Sequence, residues 1–453
     1  MSIKKVKRVE IHKIKSNHPS YKCLVNLSYL SNNLYNQANY IVRQTFINNG
    51  VYLNYYELDR LFRKDKSLQE NWSQMPSQSK QQVLRLLDQN WKSFFKSIKD
   101  WSKNKSKYSG KPKLPKYRPK GGQYLLILTS QEFRLKNDGY LHCAKKYDNL
   151  KIKTTLTNKN EEIKQIRILP RNNYFKIEVI YEKEINKSEK NSSKVASIDL
   201  GLENAVTLVT NFDTIPLIIK GNKLKSINQY FNYKILSAKK ELNVKQNHIK
   251  LNKEKFLKRA KTALDMKRLY HEDPDLFQQI IDANSNSNLE SNKDVQFTSK
   301  RIQRLWLKRD NKILNELHQI SSKIIKYCKE LRIDTIVVGH NKNQKQGSSL
   351  KNFVSLPIFR LISLIAYKAE EANIEIVEIN EAYTSGTSFL DNEAPNKSNY
   401  DKERRLKRGL FKSNSGQLIN SDVNAAYQIM RKFSNDLDIN YSHKVFNPVI
   451  CKV

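Results

Sequence analysis

Asp199 stands in the run SIDLGLENAVTL (197–208), among residues that otherwise form a buried hairpin. Val195, Ala196, Ile198 and Leu200 are strand formers, and Ala205, Val206, Leu208 and Val209 resume after a Gly-containing turn. An ionised carboxylate inside such an arm costs several kcal/mol unless something pairs with it. The run therefore predicts either a strand solvated on that face or a cation beside Asp199. Asp422 follows Ser421 at the start of a helical pattern, where dipole and capping chemistry alone accounts for an acid. Glu381 closes the strand pattern IEIVEINEAY (374–383), and its plain reading is a solvated strand end. Cys23, Cys143, Cys328 and Cys451 are scattered without CxxC spacing, so neighbours build neither a zinc ribbon nor a redox pair. They read as reduced, mostly structural thiols.

The second chemistry is charge recognition. Lys and Arg number 82 against 44 Asp and Glu, a formal net charge of +38. A polyanion would neutralise that repulsion, and 23 Tyr and 17 Phe supply stacking surfaces beside it, so nucleic acid is the expected partner. The charge is spread along the whole chain and not gathered beside an apolar anchor, which argues against a membrane-surface protein. No segment approaches the roughly 18 apolar residues of a membrane span. The start, MSIKKVKRVEIHKIK, has no signal-peptide core, so a cytoplasmic, nucleoid-associated location and no membrane partner are expected. The densest basic strip is GKPKLPKYRPKGG (110–122), whose prolines preclude a regular helix. Lys111, Lys113, Lys116, Tyr117, Arg118 and Lys120 in it are candidate nucleic-acid contacts, with a proline-rich linker as the alternative.

Behind these residues stand the elements that must position them. The first dozen residues read as a strand. Residues 24–49 carry Leu27, Leu30, Leu34, Ala38, Ile41 and Phe46 at mixed three and four spacing, the mark of an amphipathic helix. Leu84, Leu87, Trp91, Phe94, Phe95, Ile98 and Trp101 share a face of a second helix, opposite Arg85, Lys92, Lys96, Lys99 and Lys103. Residues 123–185 are strand-rich, and the basic linker NKSEKNSSK ends near 194. After the Asp199 hairpin come a third strand (214–221), about 80 residues of Lys-rich helical pattern broken by ANSNSNLESN (283–292), more helix, the strand DTIVVGH (334–340), a helix, the 374–383 strand, a polar loop and a last helix. Three meandering strands followed by strands joined through helices make an α/β order.

That order, with an acid in the first strand, is similar to a ribonuclease H-like fold. Four stretches, SIDLGLENAVTLVTN, IVVGHNKNQKQ, EAYTSGTSFLD and INSDVNAAYQIMRK, resemble the RuvC nuclease domain of TnpB (OrfB) proteins of insertion sequences, relatives of the type V CRISPR effectors. NLYNQANYIVRQ, LLDQNWKSFFKSIKDW and GKPKLPKYR extend the resemblance over nearly the whole chain. It implies an α/β RNase H-like (RuvC) nuclease domain at 194–453, with a helical insertion at about 223–330. It also implies an N-terminal wedge β-barrel from 1–22 and 120–190 and a helical recognition lobe at 23–119. The family's site is three acids, Asp, Glu and Asp, binding two Mg²⁺. Asp199 matches the first and Asp422 the third, with Asn424 in its support.

The chain departs from that pattern in two places that bear on the site. Where many members carry the middle Glu at the end of the fourth strand, this chain has Gly339. Either the site is dead, leaving a nuclease-inactive RNA-guided DNA-binding repressor, or the acid has moved to Glu381 at the neighbouring strand end, roughly 5 Å away across a sheet. The pairing of GHNKNQKQ with EAYTS resembles a subgroup with such a relocation, and Glu378 and Asp391 are reserve candidates. The four-cysteine zinc ribbon of typical relatives is replaced by a cysteine-free loop at about 384–420, so no zinc is expected. That loop is expected as a mobile lid whose Arg404, Arg405, Lys407 and Arg408 meet a phosphate strand. Asn341, Lys342, Lys345 and Gln346, after the fourth strand, are further candidate contacts. The implied activity is Mg²⁺-dependent, RNA-guided DNA cleavage next to a short target-adjacent motif, with a guide RNA and target DNA as partners. A DNA-joining transposase is the weaker alternative, because no helix-turn-helix or His-hydrophobe-His motif is present.

Overall fold

The computed structural model describes residues 2–157, 161–171, 173–187, 193–259, 299–341, 357–407, 409–434 and 436–451. The tract 283–292, most of the linker before 194, and Lys342, Lys345, Gln346 and Arg408 lie outside them. The chain divides into two units, Met1–Lys187 and Ser188–Val453.

In the first unit, period-two alternation along β1 (Ser2–Lys15) buries Val6 and Ile14 and leaves Val9 and Ile11 exposed. Four helices follow: α1 (Tyr21–Asn49), α2 (Tyr55–Lys64), α3 (Gln69–Gln74) and α4 (Ser77–Lys103). Asn54 caps α2 in a capping box with Glu57. Helix α4 buries Val83, Leu84, Leu87 and Trp91, close to the face read from its spacing, and Phe46 meets the Trp91 ring edge-on at 5.4 Å. Six strands complete the unit: β2 (Leu126–Thr129), β3 (Phe133–Leu135), β4 (Tyr140–Cys143), β5 (Lys151–Lys153), β6 (Glu161–Arg171) and β7 (Tyr174–Lys187). They form one antiparallel sheet in the order β1-β7-β6-β2 and another in the order β3-β4-β5. Among the described residues no ladder joins the two sheets, so the barrel that the resemblance implies is not closed by a continuous ring of strands.

The second unit is a mixed α/β layer. Strands β8 (Val195–Asp199), β9 (Asn204–Thr210) and β10 (Leu217–Lys220) form the antiparallel meander. Next along the chain come α5 (Asn222–Arg259), α6 (Lys300–Glu330), β11 (Thr335–Gly339), α7 (Ile358–Glu371), β12 (Glu375–Ile379), the small hairpin β13 (Leu410–Lys412) and β14 (Leu418–Asn420), α8 (Ser421–Phe433) and β15 (Val449–Cys451). The sheet order is β12-β11-β8-β9-β10-β15, with β11 parallel to β8 and β12 parallel to β11.

Alternation along β8 sorts its residues between two cores. Ala196 and Ile198 face α6 and α7 through Leu317, Ile320, Leu361 and Ile365. Val195 shares a cluster with Val337 and Ile429 of α8, and Ser197 Oγ donates to the Ala426 carbonyl at 2.5 Å. By the same parity Asp199 ends the strand on the α8 side. Helix α6 falls within the span expected as an insertion, yet only its start packs on α5, Ile302 meeting Phe231 and Ile235, while Ile313, Leu317, Ile320, Ile324 and Cys328 belong to the sheet's core.

Candidate active site

A pocket of about 540 Å³ opens at the carboxyl ends of β8 and β11, lined by Asp199, Asn341, Glu381, Arg405 and Asp422 among others. The three acids reach it from three kinds of local structure: the last residue of β8, a turn after β12, and the first turn of α8.

Asp199 is raised well above the ordinary carboxylate range, first by burial and then by the charges of Asp422 and Glu381; the Arg405 guanidinium and the Leu200 amide pull the other way. Burial likewise raises Glu381, against the lowering effect of the Asn341 backbone amide. These are carboxylates that lack enough positive charge among themselves.

Asp422 is released from the capping duty that its sequence position suggests. Asn420 performs it, its Oδ1 accepting from the amides of Asp422 (3.0 Å) and Val423 (3.3 Å). The Asp422 carboxylate instead accepts from Asn204 Nδ2 at 2.6 Å, and Lys220 Nζ donates to Asn204 Oδ1 at 2.9 Å. Asn204 is 6% exposed at the head of β9, and neither it nor Lys220 was picked out from the sequence. The available signal was an asparagine opening a strand of otherwise buried residues.

Glu381 lies two residues beyond β12, not in the strand as expected. Its turn is fixed by Asn380 Oδ1 accepting from the Ala382 amide (2.9 Å) and by Thr384 Oγ1 donating to the Glu381 carbonyl (2.8 Å). β11 and β12 are parallel with Gly339 opposite Ile379, so the two strand ends are neighbours. A Cβ at Gly339 would overlap the Ile429 side chain, reaching Cγ1 at 2.8 Å, and would stand 3.3 Å from the Glu381 Cβ. The room for Glu381 depends on the missing side chain at 339.

The reserve acids are elsewhere. Glu378 is exposed on β12, and Asp391 accepts from the amides of Asn414 (2.6 Å) and Ser415 (3.3 Å). Asn424 is fully buried but pins the loop, accepting from the Phe389 amide (2.9 Å) and donating to the Thr387 carbonyl (2.8 Å); it does not line the pocket.

The loop at 384–420, expected as a mobile lid, is anchored in the core and also brings Ser385, Tyr400 and Arg405 to the pocket wall. Phe389 stacks on Tyr427 at 4.2 Å, and Phe411 is fully buried. Arg404, expected on a phosphate strand, turns inward and donates to both Glu393 carboxylate oxygens at 2.8 and 2.7 Å. Glu393 also accepts from the Ser388 amide and Asn414 Nδ2, each at 2.8 Å. Arg405 points the other way, 3.7 Å from Asp422 Oδ1, and Lys407 is exposed.

In the first unit the 110–125 segment lies extended along α1. Asn32, Asn36, Asn39 and Arg43, one helical face, donate to the carbonyls of Pro119, Arg118 and Pro115 at 2.9–3.2 Å. Lys111, Lys113, Lys116, Tyr117 and Lys120 are left exposed. Arg118 is not: it stacks over Tyr124 at 3.8 Å and donates to Asn32 Oδ1 at 3.2 Å, which makes it a packing residue.

Among the described residues no three acidic, His or Cys side chains form a ready cage for one ion. The donor set nonetheless fits hard divalent cations, being all carboxylate oxygen and short of positive charge. Among the described residues no helix is long and apolar enough to cross a membrane.

Comparison with known proteins adds two family matches. Residues 177–278 match the family model of a probable transposase, OrfB_IS605, and residues 359–429 match the TNB domain of Cas12f1-like proteins. The curated proteins yield no match. Among solved structures, the chain is similar to a Cas12f1 in complex with sgRNA and target DNA, with 13% identity and a TM-score of 0.46 over 90% of this chain and 82% of that one. It is also similar to a CRISPR-Cas12f ternary complex (14%, TM-score 0.33, 90% and 80%) and to Alicyclobacillus acidoterrestris C2c1 with single-guide RNA (8%, TM-score 0.30, 92% and 68%). With one segment matching OrfB transposases and another matching Cas12f1-like proteins, the resemblance to TnpB (OrfB) proteins drawn from the sequence holds.

Proposed function

We propose that the protein is an RNA-guided DNA endonuclease of a mobile element, cutting with a RuvC-type site formed by Asp199, Glu381 and Asp422. The observation that carries this reading is the convergence of three carboxylates, distant in sequence, on one pocket where burial and the two neighbouring acids hold Asp199 well above the ordinary carboxylate range. The strand order of the second unit, a three-strand meander extended by two parallel strands beside the acid-bearing one, supports an RNase H-like domain. Asp199, Glu381 and Asp422 would hold two Mg²⁺ ions, which when bound activate a water and stabilise the departing 3′ oxygen of a phosphodiester. Asn204, backed by Lys220, orients the Asp422 carboxylate. Arg405 offers a guanidinium to a phosphate oxygen at the same mouth. Exposed lysines such as Lys113 and Lys116 hold a backbone without reading sequence, as guide pairing requires.

The guided repressor without cleavage rests on Gly339 alone, and Glu381 standing beside that glycine favours relocation over loss. The test is Mg²⁺-dependent cleavage of a plasmid library with randomised flanks, by protein purified with the RNA encoded beside its gene. Wild type is expected to cut next to a fixed short motif, while Asp199→Ala and Glu381→Gln bind RNA and target without cutting. Full activity in Glu381→Gln would move the middle acid elsewhere, and binding without cutting by wild type would leave the repressor.

A further inference from the structure

Two tyrosines border the acidic pocket, and neither has a part in the chemistry above. Tyr383 and Tyr400 both line it, with ring centroids 5.7 Å apart and planes at 72°. Tyr400 is seated on glycine backbone: a Cβ at Gly386 would come within 2.5 and 2.6 Å of its Cε2 and Cδ2, and the Gly386 carbonyl accepts from the Asp401 amide at 3.0 Å. Tyr383 has φ of 70°, a left-handed conformation that bulky L residues rarely adopt. The loop holds it there, with Thr387 Oγ1 donating to the Tyr383 carbonyl at 3.0 Å and Lys432 Nζ donating to the Ala382 carbonyl at 2.9 Å. The result is a large aromatic side chain left 39% exposed at the wall of a charged pocket. Strain of this kind gathers at functional sites, and core packing would have hidden the ring.

We propose that Tyr383, braced edge-on by Tyr400, forms a stacking platform for an unpaired nucleobase, adjoining the nucleotide whose phosphate meets Asp199, Glu381 and Asp422. The proposal rests on the nuclease reading and assigns to Tyr383 and Tyr400 the task of holding the base beside the cut. Every base offers a π-face, so an aromatic platform tolerates any sequence, but a base inside a duplex is already stacked on its neighbours. A base can reach the Tyr383 ring only where it is not already stacked in a duplex.

Photocross-linking tests it. A single-stranded DNA 20-mer carrying 5-iodouracil is irradiated with the wild-type protein in EDTA, and the cross-linked peptides are mapped by mass spectrometry. Cross-links to Tyr383 or Tyr400 are expected in wild type and in Asp199→Ala, retained in Tyr383→Phe and reduced in Tyr383→Ala. Gly386→Ala, which unseats Tyr400 without removing a ring, is expected to lower the yield as well. In cleavage, one abasic position near the cut should raise the wild-type KM by roughly 5- to 100-fold with little change in kcat, and Tyr383→Ala should erase that sensitivity. A protein that cuts DNA but cross-links only elsewhere, or equally in Tyr383→Ala, overturns the platform and leaves the nuclease reading standing. A protein that neither cuts nor cross-links overturns both.

Discussion

Two acidic clusters lie in the second unit, and their electrostatics are opposite. Around Glu393 each carboxylate oxygen has donors, and Arg404 closes an ion pair whose side chains are only 18% and 14% exposed. Around Asp199 the acids face one another, and the adjoining Arg405 stands at 3.7 Å from one of them. Consecutive arginines thus serve different ends. The first ties a loop together through Glu393, and the second borders the cluster around Asp199. Satisfied charge holds structure together, while unsatisfied charge marks where something else must bind.

The largest effect should come from Asp199→Asn, which is expected to lower cutting by about 10²-fold or more in a plasmid assay while raising the melting temperature of the metal-free protein. Glu393→Ala should shift stability in the opposite direction. It strands Arg404 and is expected to cost roughly 3 kcal/mol, read as a fall in denaturation midpoint that chelators do not reproduce. If both variants shift stability in the same direction, the contrast between the clusters fails.

Gly339→Ala is expected to cost about 1–3 kcal/mol through overpacking against Ile429, with part of the loss recovered in the Gly339→Ala, Ile429→Val double variant by thermal unfolding. A smaller effect is the pH dependence of the metal-free protein. Asp199 and Glu381 bind protons more tightly folded than unfolded, so stability falls as pH rises through the ordinary carboxylate range, where only the unfolded chain releases them. Melting temperatures taken from about pH 4 to 7 should drop more steeply in wild type than in Asp199→Asn. The smallest effect belongs to the first unit. Replacing Lys113 or Lys116 by Ala should weaken nucleic-acid binding alike for all sequences and reduce the salt slope by about one per lysine that meets a phosphate.

How much of this could be read beforehand depends on the range of the interaction. Asp199 was legible because a carboxylate within a run of strand formers breaks a local pattern, and the strand and helix order of the second unit followed from periodicity. The positions of Glu381 and Asp422 came from motif context, but the release of Asp422 by Asn420 required cap geometry. Arg404 and Arg118 look like their exposed neighbours in sequence. Only the partners Glu393, Tyr124 and Asn32, 11, 6 and 86 residues away, turn them inward. The Asn32, Asn36 and Asn39 face of α1 was hidden for a related reason: polar residues at helical spacing look like a solvated face until a segment some 80 residues later lies across them.

The glycine at the end of β11 also constrains how the chain can change. A side chain at 339 would overlap Ile429 and press closely on the Glu381 Cβ, so positions 339, 381 and 429 share one small volume. A substitution at 339 is therefore felt first by Ile429 and only slightly by Glu381. Anyone introducing a side chain at 339 would do well to shorten residue 429 in the same step, leaving 381 as it is.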